Sequence, residues 1–195
     1  MATGKEDPPP IKRQNRKLIA ENQMFEIYFD HVVAGDQTPV PEYLVVVPKR
    51  RTADGITGVA ILPVVDGRIA LLKIYRHPIE SWSWEIPRGF VEDGENPLES
   101  VSRELEEETG LRCRKENIRP LGIIDVDAGT LSAKIQLFAG LDCETVRPFA
   151  AGEMGHLEMK VCEVDEIQTM IEQSEIRDPS TLIAFYRYGQ WNHGT

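Results

Sequence analysis

The sequence predicts an α+β fold, an α/β/α sandwich in which a mixed β-sheet lies between helices, with extra β-strands at its N-terminal end. Two observations carry this. GVAILPVV (58–65) and RIALLKIY (68–75) flank Asp66-Gly67, a two-residue hairpin signal, and their nearly unbroken apolar runs suit central strands covered on both faces. Strand-like and helix-like periods then interleave and end in two helical segments, an order that layers helices against a sheet. At 195 residues, 41% hydrophobic, the chain can bury the core of one domain plus a small appendage.

Residues 1–15 are polar, include Pro8-Pro9-Pro10, and read as a flexible tail. Residues 16–55 read as N-terminal strands: MFEIYFDHVV (24–33) mixes β-branched and aromatic residues, and Tyr43 to Val47 forms a second strand after the Gly35-Asp36 and Pro39-Pro41 turn signals. The main domain spans 56–195. After the hairpin, Trp82-Ser83-Trp84-Glu85-Ile86-Pro87-Arg88 leads into a Gly-containing acidic loop, Gly89 to Glu95. A short helix follows. Asn96 is its N-cap, Pro97 takes the first helical position, Leu98, Val101 and Leu105 form its apolar stripe, and Gly110 stops it. Strands are expected over 118–126, 133–141 and 157–164, and helices over 165–173 and 179–191, the last capped by Asp178 before Pro179.

The formal charge is −10, which argues against a nucleic-acid coat, and the sequence has no apolar run of membrane-spanning length and no apolar signal segment at its start. Three cysteines, Cys113, Cys143 and Cys162, lack C-x-x-C spacing and read as reduced, buried thiols of a cytoplasmic protein. The four histidines are too scattered in sequence to propose a zinc site.

The polar face of the short helix is the unusual feature. Glu104 and Glu108 lie one turn apart, about 6 Å along the axis, with Glu107 beside them. Like charges at this spacing oppose the helix, and carboxylates near its C-terminus oppose its dipole. A bound cation would compensate both, and oxygen ligands select Mg²⁺, Mn²⁺ or Ca²⁺ over zinc. Such a cation also resolves a second conflict, because an acidic chain repels phosphate unless a metal bridges the two.

Gly89, five residues, Glu95, seven residues, then Arg103-Glu104-Leu105-x-Glu107-Glu108-x-Gly110-Leu111 resembles the Nudix box at every specified position. The flanks, Tyr75-Arg76 before Trp84-Glu85-Ile86-Pro87 and the ending Asp165-Glu166-Ile167 to Leu182, resemble the ADP-ribose and nucleotide-sugar pyrophosphatase branch of that family. Two departures from the branch are Ala128-Gly129, where many members have Pro-Gly, and Pro87-Arg88-Gly89, where Pro-Ala-Gly is usual.

The resemblance implies a Nudix fold, with 56–195 as the hydrolase domain and the N-terminal strands as the pairing element of a homodimer. It implies hydrolysis of the pyrophosphate bond in a nucleoside diphosphate linked to X, ADP-ribose or a nucleotide sugar, with Mg²⁺ as cofactor and Mn²⁺ as substitute. The alternatives are another nucleotide class, such as a dinucleoside polyphosphate or damaged nucleotide, and a module that senses nucleotides without turning them over. By position in the box, Glu104, Glu107 and Glu108 would be metal ligands, joined by the Arg88 carbonyl, with Glu107 also catalytic and Glu85 acting through water. Arg103 would pair with Glu95 to fix the loop. The general base would be Glu153, with His156 and Glu158 as competitors. Arg76 and Arg88 are candidate phosphate clamps, and Trp82 or Trp84 and Phe29 or Tyr28 are candidates to stack on a base.

Overall fold

The computed structural model describes residues 10–192, which form two compact units. Residues up to Lys49, with Asp127–Ser132, make the first; Arg50–Val126 and the chain from Ala133 make the second. This division falls a few residues before the expected boundary at 55/56, and it moves 127–132 to the N-terminal strands.

In the first unit β1 (Ile11–Glu21), β2 (Phe25–Ala34) and β3 (Pro39–Pro48) form an antiparallel sheet with β2 in the middle. Strand β1 begins inside the stretch expected to be tail; residues 1–9 lie outside the described residues. Almost every side chain of β1 is exposed, so no burial pattern marks it in the sequence, and backbone pairing to β2 holds it. Its Lys12, Arg13, Arg16 and Lys17 suit an edge strand, where charge discourages further pairing. Arg16 also reaches into the sheet: its Nε and Nη2 donate to the two oxygens of buried Asp30, each at 2.7 Å, while its guanidinium lies 4.6 Å from the Tyr28 ring centre. The segment 127–132 joins through the Val46 amide to the Thr130 carbonyl, 2.9 Å, and the Ser132 amide to the Val46 carbonyl, 2.8 Å.

In the second unit the hairpin of β4 (Gly58–Val65) and β5 (Arg68–Arg76) turns at Asp66-Gly67, whose φ values of 48° and 77° are the left-handed pair that such a turn requires. Strands β6 (Ser81–Glu85) and β7 (Arg88–Phe90) return beside them, and helix α1 (Pro97–Thr109) follows. Next come the short β8 (Leu111–Arg112), then β9 (Ile118–Asp125), β10 (Lys134–Gly140), the short β11 (Glu144–Thr145) and β12 (His156–Cys162). Helices α2 (Val164–Glu172) and α3 (Pro179–Asn192) complete the unit. The sheet runs β12-β5-β4-β10-β9, with β6 on β5 and β7 on β4. Only β10 and β4 are parallel among its pairs, so the sheet is mixed, as expected.

The unbroken apolar runs of β4 and β5 have a direct cause. Ala60, Leu62 and Val64 point to one core with Ile69, Leu71 and residues of α2 and α3, including Ile167, Met170 and Ala184. The alternate Val59 and Ile61 point to the other, with Ala70 and with Val101 and Leu105 of α1. Period-two alternation divides each strand between two buried faces, so polar residues are excluded from both. The helices therefore sit on opposite faces of the sheet, α1 on one and α2 with α3 on the other.

Candidate active site

Helix α1 carries the acidic face, and its ends are secured. The Asn96 side chain accepts from the Leu98 and Glu99 amides, both at 3.0 Å, and Glu99 reaches back to the Asn96 amide, a reciprocal capping box. At the other end Gly110 takes φ 72°, and a Cβ there would lie 2.3 Å from the Arg147 carbonyl oxygen. The last turn has no basic residue of its own. Arg147 supplies the charge from a distant loop, donating to the carbonyls of Glu106 and Glu107, the latter at 2.9 Å.

Arg103 braces the loop before the helix, as expected. Its Nε and Nη2 donate to the two Glu95 oxygens, each at 3.1 Å, and Nη2 also reaches the Phe90 carbonyl at 3.2 Å. Its Nη1 spans two acids of the face, Glu104 at 2.8 Å and Glu107 at 3.1 Å.

Glu104 and Glu108 are not a solvated surface: they are only 8% and 6% exposed. The Glu104 carboxylate lies directly over Gly89, where a Cβ would come within 2.1 Å of its carboxyl carbon. Glu108 accepts the Arg88 amide on Oε2 at 2.9 Å. Burial raises the Glu104 pKa even though Arg103 opposes the shift. Burial, reinforced by the charges of Glu104 and Glu153, pushes Glu108 up to about 8 despite the Arg88 amide. Glu107 stands on the exposed rim. Buried carboxylates whose ionised forms are destabilised by desolvation and by one another are a ready site for a divalent cation, and the cradle left by Gly89 leaves one of them room.

The loop before β12 adds to this cluster. Glu153 is 48% exposed, and its charge reaches both Glu104 and Glu108. His156 opens β12 with its ring buried; Nε2 lies 3.6 Å from Glu108 Oε1 and 4.0 Å from Glu153 Oε2. Burial lowers the His156 pKa, the Glu153 charge notwithstanding, which favours the neutral ring.

Glu85, buried on β6, anchors the flank. Arg76 donates to it through Nε at 3.0 Å and Nη2 at 2.6 Å, and the Arg88 guanidinium lies 2.9 Å from it. Burial pushes the Glu85 carboxyl up, but the two arginines outweigh it and hold the pKa below its ordinary value. Arg88 also reaches Asp178 at 3.0 Å, and Asp178 caps α3 through the Thr181 amide and hydroxyl, each at 2.8 Å. Both candidate phosphate clamps are thus already bound to carboxylates, Arg88 through both ends of its guanidinium.

The structure therefore brings Arg76, Arg88, Glu104, Glu107, Glu108 and Glu153 into one neighbourhood of the second unit. Trp82 is 44% exposed and sits edge-on to Tyr75, centroids 5.4 Å apart, while Trp84 is packed against the core and under Lys73. Phe29 belongs to the first unit, in β2 between Lys17 and Leu44. Asp178, expected only as the cap of the last helix, and Arg147 carried no signal for the site because both join it from far beyond the box in sequence. Glu85 carried a signal: a lone acid in an aromatic and apolar strand, which burial makes costly unless paired.

The sequence model of the NUDIX domain matches residues 56–181. The ADP-ribose pyrophosphatase of Bacillus subtilis (strain 168) is 31% identical over 89% of this chain and 92% of its own length. A CMP-5'-(N-acetyl-N-hydroxy-3-aminopropyl)phosphonate hydrolase of Streptomyces rubellomurinus is 41% identical over 42% of this chain, a match that spans only 39% of that protein. A crystal structure of an ADP compounds hydrolase superposes with a TM-score of 0.78 at 18% identity, over 97% of this chain and 98% of that one, which establishes the shared fold. The box at every specified position, the α/β/α architecture and these matches agree: the chain belongs to the NUDIX family, in its ADP-ribose pyrophosphatase branch.

Proposed function

We propose that this Nudix pyrophosphohydrolase cleaves the pyrophosphate bond of ADP-ribose or a nucleotide sugar, releasing a nucleoside monophosphate and a phosphorylated X. One observation carries the reading: two buried carboxylates, Glu104 and Glu108, share one helix face, one of them seated over a glycine that leaves it space. Glu104, Glu107 and Glu108, with the Arg88 carbonyl, would hold Mg²⁺, and Mn²⁺ would substitute. When bound, such a cation neutralises phosphate oxygens and lowers the pKa of an attacking water.

The chain's own groups do the rest. Glu153, half exposed on its loop, accepts the proton of the attacking water, and Glu107 on the rim orients it. Arg76 retains one guanidinium nitrogen beyond its two bonds to Glu85 and clamps a phosphate oxygen. Arg88 positions more than it clamps, since Glu85 and Asp178 hold its side chain while its amide holds Glu108. Trp82, 44% exposed on β6, is the aromatic surface that the second unit offers to a base. The B. subtilis relative, aligned over nearly its whole length, supports ADP-ribose as X; the phosphonate hydrolase supports a second reading with a different X on a nucleotide. The exposed Leu18, Val40 and Leu44 of the first unit support a homodimer paired through those strands.

Incubation with ADP-ribose, ADP-glucose, UDP-glucose, GDP-mannose and NADH in Mg²⁺, with products identified, tests the substrate. Glu108→Gln is expected to lower kcat on the order of a thousandfold, as loss of a preorganised charge-stabilising group does. Its melting temperature should stay near wild type, because the amide keeps an oxygen to accept the Arg88 amide and adds no charge to the buried site. Near wild-type turnover would refute the assignment.

A further inference from the structure

We propose that His156 is a nitrogen ligand for a divalent cation, forming with Glu108 and Glu153 a mixed nitrogen–oxygen position that favours Mn²⁺ over Mg²⁺. The proposal rests on the reading of the α1 acids as a metal site and extends it to a residue outside the box.

The position is built into the backbone. Gly155, at φ 92°, passes so close to β5 that a Cβ would lie 2.8 Å from the Tyr75 carbonyl oxygen, and its own carbonyl accepts the Tyr75 amide at 2.8 Å. Opposite Ile74, His156 is therefore held at the start of β12 by strand pairing on a clamped approach. Its side chain is 5% exposed, yet it faces charge: Nε2 lies 3.6 Å from Glu108 Oε1 and 4.0 Å from Glu153 Oε2, both beyond hydrogen-bond length. A side chain this little exposed, with no hydrogen bond from its ring among the described residues and its Nε2 set between two carboxylates, has the geometry of a metal ligand.

The donor spacing agrees. One atom each from Glu108, Glu153 and His156 lies within 4.8 Å of the others. Around an octahedral cation with bonds of about 2.1 Å, neighbouring donors stand about 3 Å apart and opposite ones about 4.2 Å. The observed 3.6 and 4.0 Å fall between these limits. Glu108 divides its oxygens accordingly: Oε2 takes the Arg88 amide and Oε1 faces His156. An imidazole in the ligand set raises affinity for Mn²⁺ and later transition ions, whereas Mg²⁺ prefers oxygen and gains little.

The test uses the full chain, stripped of metal with a chelator and titrated with Mn²⁺ or Mg²⁺ alone. Pulsed electron paramagnetic resonance of the Mn²⁺-loaded wild type is expected to show ¹⁴N modulation from a coordinated imidazole, and His156→Gln to abolish it. The same variant should bind Mn²⁺ at least about tenfold more weakly while Mg²⁺ affinity changes less than about threefold. Mn²⁺ bound by the wild type without ¹⁴N modulation overturns the proposal and leaves the acidic site standing, as does equal Mn²⁺ affinity in the variant. Absence of Mn²⁺ binding, or binding undiminished in Glu104→Gln and Glu108→Gln, overturns the site reading itself. The wild-type spectrum decides the matter even if the variant folds poorly.

Discussion

Gly89 shows how much one missing side chain can control. A methyl group there would meet the end of the flexible Glu104 side chain rather than backbone, so Gly89→Ala need not strain the fold: Glu104 can swing away. Activity and metal affinity are therefore expected to fall on the order of a hundredfold, with little change in thermal stability. Enzyme assays beside thermal melts check this, and an active Gly89→Ala variant would contradict the placement of Glu104. The box spacing marks Gly89 without saying why glycine is required. The reason lies in a side chain fifteen residues away, brought there by the turn from β7 into α1. His156 is a sharper case. In sequence it is one of four scattered histidines, and only strand pairing with β5 sets its ring beside Glu108.

At the scale of elements, α1 was legible because its signals are local. Its N-cap, first-position proline, apolar stripe and terminal glycine all lie within fifteen residues, and each does what its chemistry predicts. The strain in that pattern, acids near a C-terminus with no basic residue, is relieved from outside by Arg147. Arg147→Ala should cost about 0.5–1.5 kcal/mol in urea denaturation, the typical net worth of such a hydrogen bond, and Arg147→Lys should recover part of it. An unchanged midpoint would mean the cap contributes nothing. Strand β1 was illegible for the opposite reason. Periodicity records burial, and β1 buries almost nothing, so its pairing left no trace in the pattern of residues.

For the whole molecule, the N-terminal sheet contains its own acid-sensitive tie. The Arg16 hydrogen bonds hold the Asp30 pKa below its ordinary value of 3.8, overcoming burial, which acts the other way. The stabilisation is thus fully present above about pH 4 and is lost as pH falls through the lower native-state value. Asp30→Asn should be less stable at neutral pH by about 1.5–3 kcal/mol, the worth of hydrogen bonds to a charged group, and the gap should narrow below pH 4. Denaturation curves at pH 7 and pH 3 measure it, and a gap that does not narrow would place the stabilisation elsewhere. By itself the sequence determined the fold class, the central hairpin, the acidic helix and the family, because each is written in short-range spacing that burial and backbone geometry enforce. Only the tertiary structure decided which acids are buried, that Arg76 and Arg88 share Glu85, that Arg147 and Asp178 join the site, and that His156 faces Glu108. Those pairings depend on chain crossings between residues far apart in sequence, where no local period connects a charge to its partner.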